Sequence, residues 1–150
     1  MLIEGLRVYH TKTFKDHRGS YTEIWNKDMY DITEWAEQDI SVSKKGVLRG
    51  IHSDTKANKL VTCLWGSVYV AITDPDDQTY YQFTITDCDT VLYVPAGLGI
   101  GHQVLSEQAV WFYNQSERYD PKRQSTIKWN DLAYGIFWPD RDPILSERDS

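Results

Sequence analysis

Cysteine is scarce in this sequence: Cys63 and Cys88 are the only two in 150 residues, with no CxxC spacing between them. A disulfide framework is therefore not expected, and two buried free thiols in a reducing cytosol are the expected state. Long apolar runs are missing too. The opening MLIEGLRVYH holds none of the length a signal peptide needs, and no later segment approaches a membrane span. A cytoplasmic protein without a membrane partner is expected. Positive charge is in deficit, with 16 Lys and Arg against 22 Asp and Glu and a net charge of −6. That balance argues against a nucleic-acid partner, which needs a basic surface to displace counterions. A phosphorylated small ligand stays open, because a pocket needs only a few local cations.

Repeats, low-complexity tracts and linkers are absent as well. A chain of 150 residues supports one hydrophobic core, so residues 1–150 are expected to be a single domain. Aromatic residues, in contrast, are plentiful: six Trp, ten Tyr and four Phe. Such residues favour strands and line ligand clefts, and most of them serve core packing.

The middle of the chain reads as successive strands. Leu60 to Trp65 is a short apolar run, and after Gly66 the residues Val68, Val70 and Ile72 alternate with Ser67, Tyr69, Ala71 and Thr73. That period of two predicts a strand with one buried face. Asp74-Pro75-Asp76-Asp77 is a turn by composition. Tyr80–Ile85, Val91–Val94, Val110–Tyr113, Ile127–Trp129 and Ile136–Trp138 continue the series, and the three glycines between Pro95 and Gly101 break it. The one helix candidate spans Lys27 to Gln38, with Met29, Ile32 and Trp35 on one face. Short strands separated by turns predict an all-β sandwich or jelly roll with one or two short helices.

Two segments carry chemistry. Gly46-Val-Leu-Arg-Gly-Ile-His52 is followed by Lys59 and Gly66, and Pro95-Ala-Gly97 is followed by His102. Together they resemble the two halves of the cupin motif, the signature of a double-stranded β-helix. Metal-binding cupins carry two His and a Glu in the first half and a third His in the second. Here Asp54 stands two residues after His52, and Lys59 occupies the Glu region. An ammonium has no lone pair to donate and repels a divalent cation. Only His52 and His102 remain as good ligands, short of the three a catalytic metal takes unless Asp54 joins them, so no metal and no other cofactor is expected. A histidine after a strand is more often structural than catalytic. The polar company of Arg49, Asp54 and Lys59 favours a functional His52.

The segments Phe14-Lys-Asp16-His-Arg18-Gly19, Val47-Leu-Arg49-Gly-Ile-His52, Lys59-Leu-Val61, Gly66-Ser-Val68, Val94-Pro-Ala-Gly97 and Trp129-Asn-Asp131 occur in that order. Gly135-Ile-Phe-Trp138-Pro and Leu145-Ser-Glu-Arg-Asp149 complete the set. As a set they resemble the dTDP-4-dehydrorhamnose 3,5-epimerase family, and in feel its relatives acting on nucleotide-linked 4-keto heptoses. The resemblance implies inversion at C3, C5 or both of a dTDP- or GDP-linked 4-keto-6-deoxy sugar, by way of an enolate. It implies that His52 is the general base, Asp149 its carboxylate partner, Lys59 the cation beside the enolate oxygen and Tyr113 the proton donor on the opposite face. Arg18, Arg49, Glu23, His102 and Tyr119 are implied as substrate contacts. A homodimer that exchanges an N-terminal strand is implied too, with Arg18 serving the neighbour's pocket. In the second cupin segment Ile100 stands where the dehydrorhamnose epimerases place a His. Chain ends fray by default, which bears on Asp149. The alternatives are a sugar 3,4-ketoisomerase, a non-catalytic sugar-binding cupin and a metal-dependent cupin, the last disfavoured by Lys59.

Overall fold

The computed structural model describes residues 3–29 and 34–150. Its strands are β1 (Arg7–His10), β2 (Thr13–Asp16), β3 (Gly19–Thr22), β4 (Glu37–Lys44), β5 (Leu48–Asp54) and β6 (Lys59–Trp65). They continue as β7 (Ser67–Asp74), β8 (Thr79–Thr86), β9 (Thr90–Val94), β10 (Gly99–Val104), β11 (Gln108–Gln115) and β12 (Gln124–Thr126). Two five-stranded sheets result, ordered β1-β9-β6-β11-β4 and β12-β5-β10-β7-β8, with β2 and β3 forming a separate hairpin. The strand pairings are antiparallel throughout. This is the expected jelly roll.

The sheets pack face to face. Val61, Leu92 and Trp111 of the first meet Val68, Val70, Ile72 and Ile85 of the second in one buried cluster. The period of two in β7 correctly places Val68, Val70 and Ile72 on this face. The expectation that the other face meets water is wrong, since Tyr69, Ala71 and Thr73 are buried too. The C-terminal segment lies across that outer face. Trp138 packs against Tyr69 with ring centroids 5.6 Å apart and donates its indole N–H to the Trp129 carbonyl at 2.7 Å. The amide of Gln103 fixes the same segment by two 2.9 Å hydrogen bonds with the backbone of Asp140.

That covering role explains the misread segments. Ile127–Trp129 lies beyond β12, although Ile127 still exchanges backbone hydrogen bonds with Ile51. Ile136–Trp138 is irregular chain whose side chains cover the sheet without joining a ladder. The glycine-rich stretch errs the other way, because Gly99, Gly101 and His102 lie inside β10. A Cβ on Gly99 would stand 2.3 Å from the Thr73 hydroxyl, and one on Gly101 2.9 Å from Ile51. Glycine here marks close packing rather than a loop. Of the proposed helix, Ile32 lies outside the described residues, Lys27 to Met29 form a turn, and Glu37 and Gln38 open β4. The helix among the described residues is a three-residue 3-10 turn, Pro121–Arg123.

Candidate active site

Strand β5 is irregular where it matters. Opposite β10, Ile100 pairs with His52 while His102 pairs with Arg49, so three steps along β5 match two along β10. This is a β-bulge at Gly50 and Ile51. Gly50 has φ +108°, and a Cβ there would stand 2.4 Å from the Ile100 carbonyl oxygen, so only glycine fits. Residues three apart in a regular strand point to opposite faces. The bulge turns Arg49 and His52 to the same inner face, at one end of the sandwich.

Asp149 meets His52 there. Its Oδ1 lies 2.6 Å from His52 Nε2, and its Oδ2 accepts the Gly50 amide at 3.0 Å. The expected fraying does not occur. Asp149 is 4% exposed, its amide donates to the Ser146 carbonyl, and Ile144 is tied by backbone bonds to Gly46 and Leu48. A carboxylate only accepts hydrogen bonds, so Nε2 carries the proton and Nδ1 keeps its lone pair. Burial holds the His52 pKa below the ordinary imidazole value; Asp149 opposes this, while Arg148 and Lys59 add to it. The ring is therefore neutral at neutral pH and free to accept a proton.

Lys59 and Tyr113 come from the facing sheet. Lys59, at the start of β6, is 8% exposed, and desolvation lowers its pKa against the pull of Asp54. Tyr113, on β11, shares a strand face with Trp111 at 5.9 Å between ring centroids, and burial pushes its phenol up to about 12. It stays protonated at neutral pH and has a proton to give. His52, Lys59 and Tyr113 line one cavity with Ile100, Gln115, Tyr119, Gln124 and Arg148. A second cleft shares His52, Tyr113 and Arg148 and adds Arg49, Ser146 and Asp149. Arg49 donates to the Ser43 hydroxyl at 2.9 Å.

Other expected site residues lie elsewhere. Arg18 sits on the β2–β3 hairpin, where its guanidinium pairs with Asp16 at 2.6 Å, in a concavity lined by the hairpin alone. Glu23 accepts from Asn26 at 2.7 Å and lines neither cavity. His102 is 1% exposed inside the sandwich, stacked on Trp111 at 4.5 Å, and likewise lines neither cavity. Both its ring nitrogens lack partners among the described residues. Asp54 spends its oxygens on Arg123, Gln124 and the amides of Lys56 and Ala57. Among the described residues no three His, Cys, Asp or Glu gather as metal ligands, and with Lys59 in the cavity the donor set does not fit a cupin metal. Sequence reasoning missed Arg148, Gln115 and Gln124. Arg148 adjoins Asp149 in a motif already singled out; Gln115 and Gln124 carry no signal of their own.

The buried His102 has a consequence for stability. Desolvation first, then the charges of Arg49 and His52, push its pKa down to about 3 from an ordinary 6.5. As pH falls below that ordinary value the unfolded chain takes up the proton and the folded one does not. Stability is thus complete above it and lost toward the folded value. Urea unfolding should show a loss of about 1.4 kcal/mol per pH unit below about pH 6.5 from this group, with His52 adding in the same direction. His102→Phe, which keeps a ring on Trp111, should flatten that slope; an unchanged slope would remove His102 as its cause.

A model of the dTDP-4-dehydrorhamnose 3,5-epimerase family matches residues 1–150. The dTDP-4-dehydrorhamnose 3,5-epimerase of Streptomyces griseus is 33% identical over 98% of this chain and 80% of its own. Among solved structures, NovW, a 4-keto-6-deoxy sugar epimerase from Streptomyces spheroides, is similar at a TM-score of 0.93 and 28% identity, covering 99% of this chain and 82% of its own. ChmJ, a 3'-monoepimerase from Streptomyces bikiniensis in complex with dTDP-quinovose, is similar at 0.92 and 28%, covering 99% and 83%. A match along the whole chain, on the same fold, leaves one assignment: this protein belongs to the dTDP-4-dehydrorhamnose 3,5-epimerase family and is an epimerase.

Proposed function

We propose that the chain inverts C3, C5 or both of a dTDP-linked 4-keto-6-deoxy sugar, with His52 as base and Tyr113 as acid. The observation that carries this is the His52–Asp149 contact of 2.6 Å in a cavity that Tyr113 enters from the opposite sheet. The ketone acidifies the neighbouring C–H, and Nδ1 of His52 takes that proton. Charge moves to the ketone oxygen, where the Lys59 ammonium stabilises the enolate. The Tyr113 hydroxyl then delivers a proton to the other face of the same carbon and inverts it. Arg49 and Arg148, flanking the second cleft, suit bidentate contact with the diphosphate, and Tyr119 flanks the sugar. His102 acts behind the wall rather than on the substrate.

Arg18 and Glu23 belong to this scheme only through a second copy. Among the described residues the hairpin pairs with no other strand, and Phe14 and Tyr21 are 55% and 70% exposed. The outer face of β4 adds exposed Ile40 and Val42, and Trp65 of β6 is exposed in register with Val42 across β11. Both features support a homodimer in which the hairpin reaches the neighbour's site. Residues 1–150 act as one unit, because Asp149 completes a site begun in β5. No helix among the described residues is long and apolar enough to cross a membrane. Free Cys63 and Cys88 suit a reducing cytoplasm. A non-catalytic or ketoisomerase role is not favoured.

The test is the product. Incubated with dTDP-4-keto-6-deoxyglucose, the protein should yield a sugar whose proton couplings show inversion at C3, C5 or both; recovery of unchanged substrate would refute the proposal. Tyr113→Phe should separate the two half-reactions. Solvent deuterium should still enter next to the ketone with retention, while inverted product falls by on the order of 10²-fold or more. Equal losses of exchange and inversion would mean that Tyr113 is not the second acid.

A further inference from the structure

Of the eight residues lining the catalytic cavity, seven carry polar side-chain atoms and Ile100 carries none. Its placement is tightly determined. Across the sheet Ile100 pairs with His52 on one side and Ile72 on the other. Side chains directly opposite on antiparallel strands share a face, with Cβ atoms about 5 Å apart. Ile100 therefore stands beside the base, within one substituent of the carbon that loses its proton. The flanking Gly99 and Gly101 are held against Thr73 and Ile51, so β10 cannot shift to withdraw it.

A 4-keto-6-deoxy hexose offers one apolar substituent, the C6 methyl on C5; the other ring carbons carry oxygen. An aliphatic wall cannot satisfy a hydroxyl, and burying one there unpaired is costly. Resting on the function proposed above, we infer that Ile100 is the specificity-determining contact for a deoxygenated C6, set so that the methyl packs against it while C5 faces His52.

The test uses dTDP-quinovose and dTDP-glucose, which differ only by the C6 hydroxyl and bind without turnover. Calorimetry on the wild-type protein should show roughly 10–100-fold tighter binding of the 6-deoxy ligand, the range for one hydroxyl added against an apolar pocket. Ile100→Val should keep that ratio. Ile100→Thr, isosteric with that valine but carrying a hydroxyl, should bring it to within about threefold. Both ligands are measured on the same variant, so any loss of folded protein cancels. Equal affinities in the wild type, or an unchanged ratio in Ile100→Thr, would overturn the inference. Neither result depends on catalysis, so failure here is distinct from failure to epimerise the keto sugar.

Discussion

Asp149→Asn is expected to lower turnover by on the order of 10³–10⁴-fold while the protein stays folded and binds ligand normally. The reason is the second hydrogen bond of the carboxylate. Gly50 donates its amide to Oδ2, so an asparagine must place its carbonyl oxygen there and turn its NH2 toward His52. Nε2 must then accept, which moves the ring proton to Nδ1, the nitrogen proposed to take up the sugar's proton. The base is present, correctly placed and in the wrong tautomer. Steady-state kinetics should show the loss in kcat with little change in KM. A proportionate rise in KM would indicate that Asp149 serves binding instead.

His52→Gln should be comparably damaging, with solvent exchange falling by on the order of 10²–10⁴-fold. The glutamine amide can still bond Asp149 and fill the space, so the loss isolates the missing base. In the wild-type enzyme the rate should be level near neutral pH and fall on the acid side, below the ordinary imidazole range, because His52 must be neutral and burial holds its pKa down. An acid limb centred above the ordinary imidazole value would contradict that environment.

Much of this was legible in the chain, and what was not has physical causes. The period of two in Val68–Ile72 located β7 and its inward face, but alternation cannot report the C-terminal segment that buries Tyr69 from the other side. The same rule misplaces the site. Counted along a regular strand, Arg49 and His52 face apart, and only the bulge at Gly50 brings them together. Lys59 and Asp149 stood in recognisable motifs, yet their meeting with His52 is a tertiary event spanning 97 residues in the case of Asp149. His102 reads as a site residue from its residue type and its place in the motif. Its partner in the fold is the Trp111 ring, and strand register alone decides that. Ile100 stands out in the motif as a departure, and its pairing with His52 shows why an apolar residue there has consequences.

The most direct measurement is the initial rate of solvent deuterium entry into dTDP-4-keto-6-deoxyglucose, followed by NMR for the wild-type protein and His52→Gln side by side, each after chelator treatment. Rapid incorporation at a carbon beside the ketone by the wild type, and a rate lower by on the order of 10²–10⁴-fold in the variant, is the predicted result. Equal incorporation by both, or none by the wild type, would contradict His52 as the base of this epimerase.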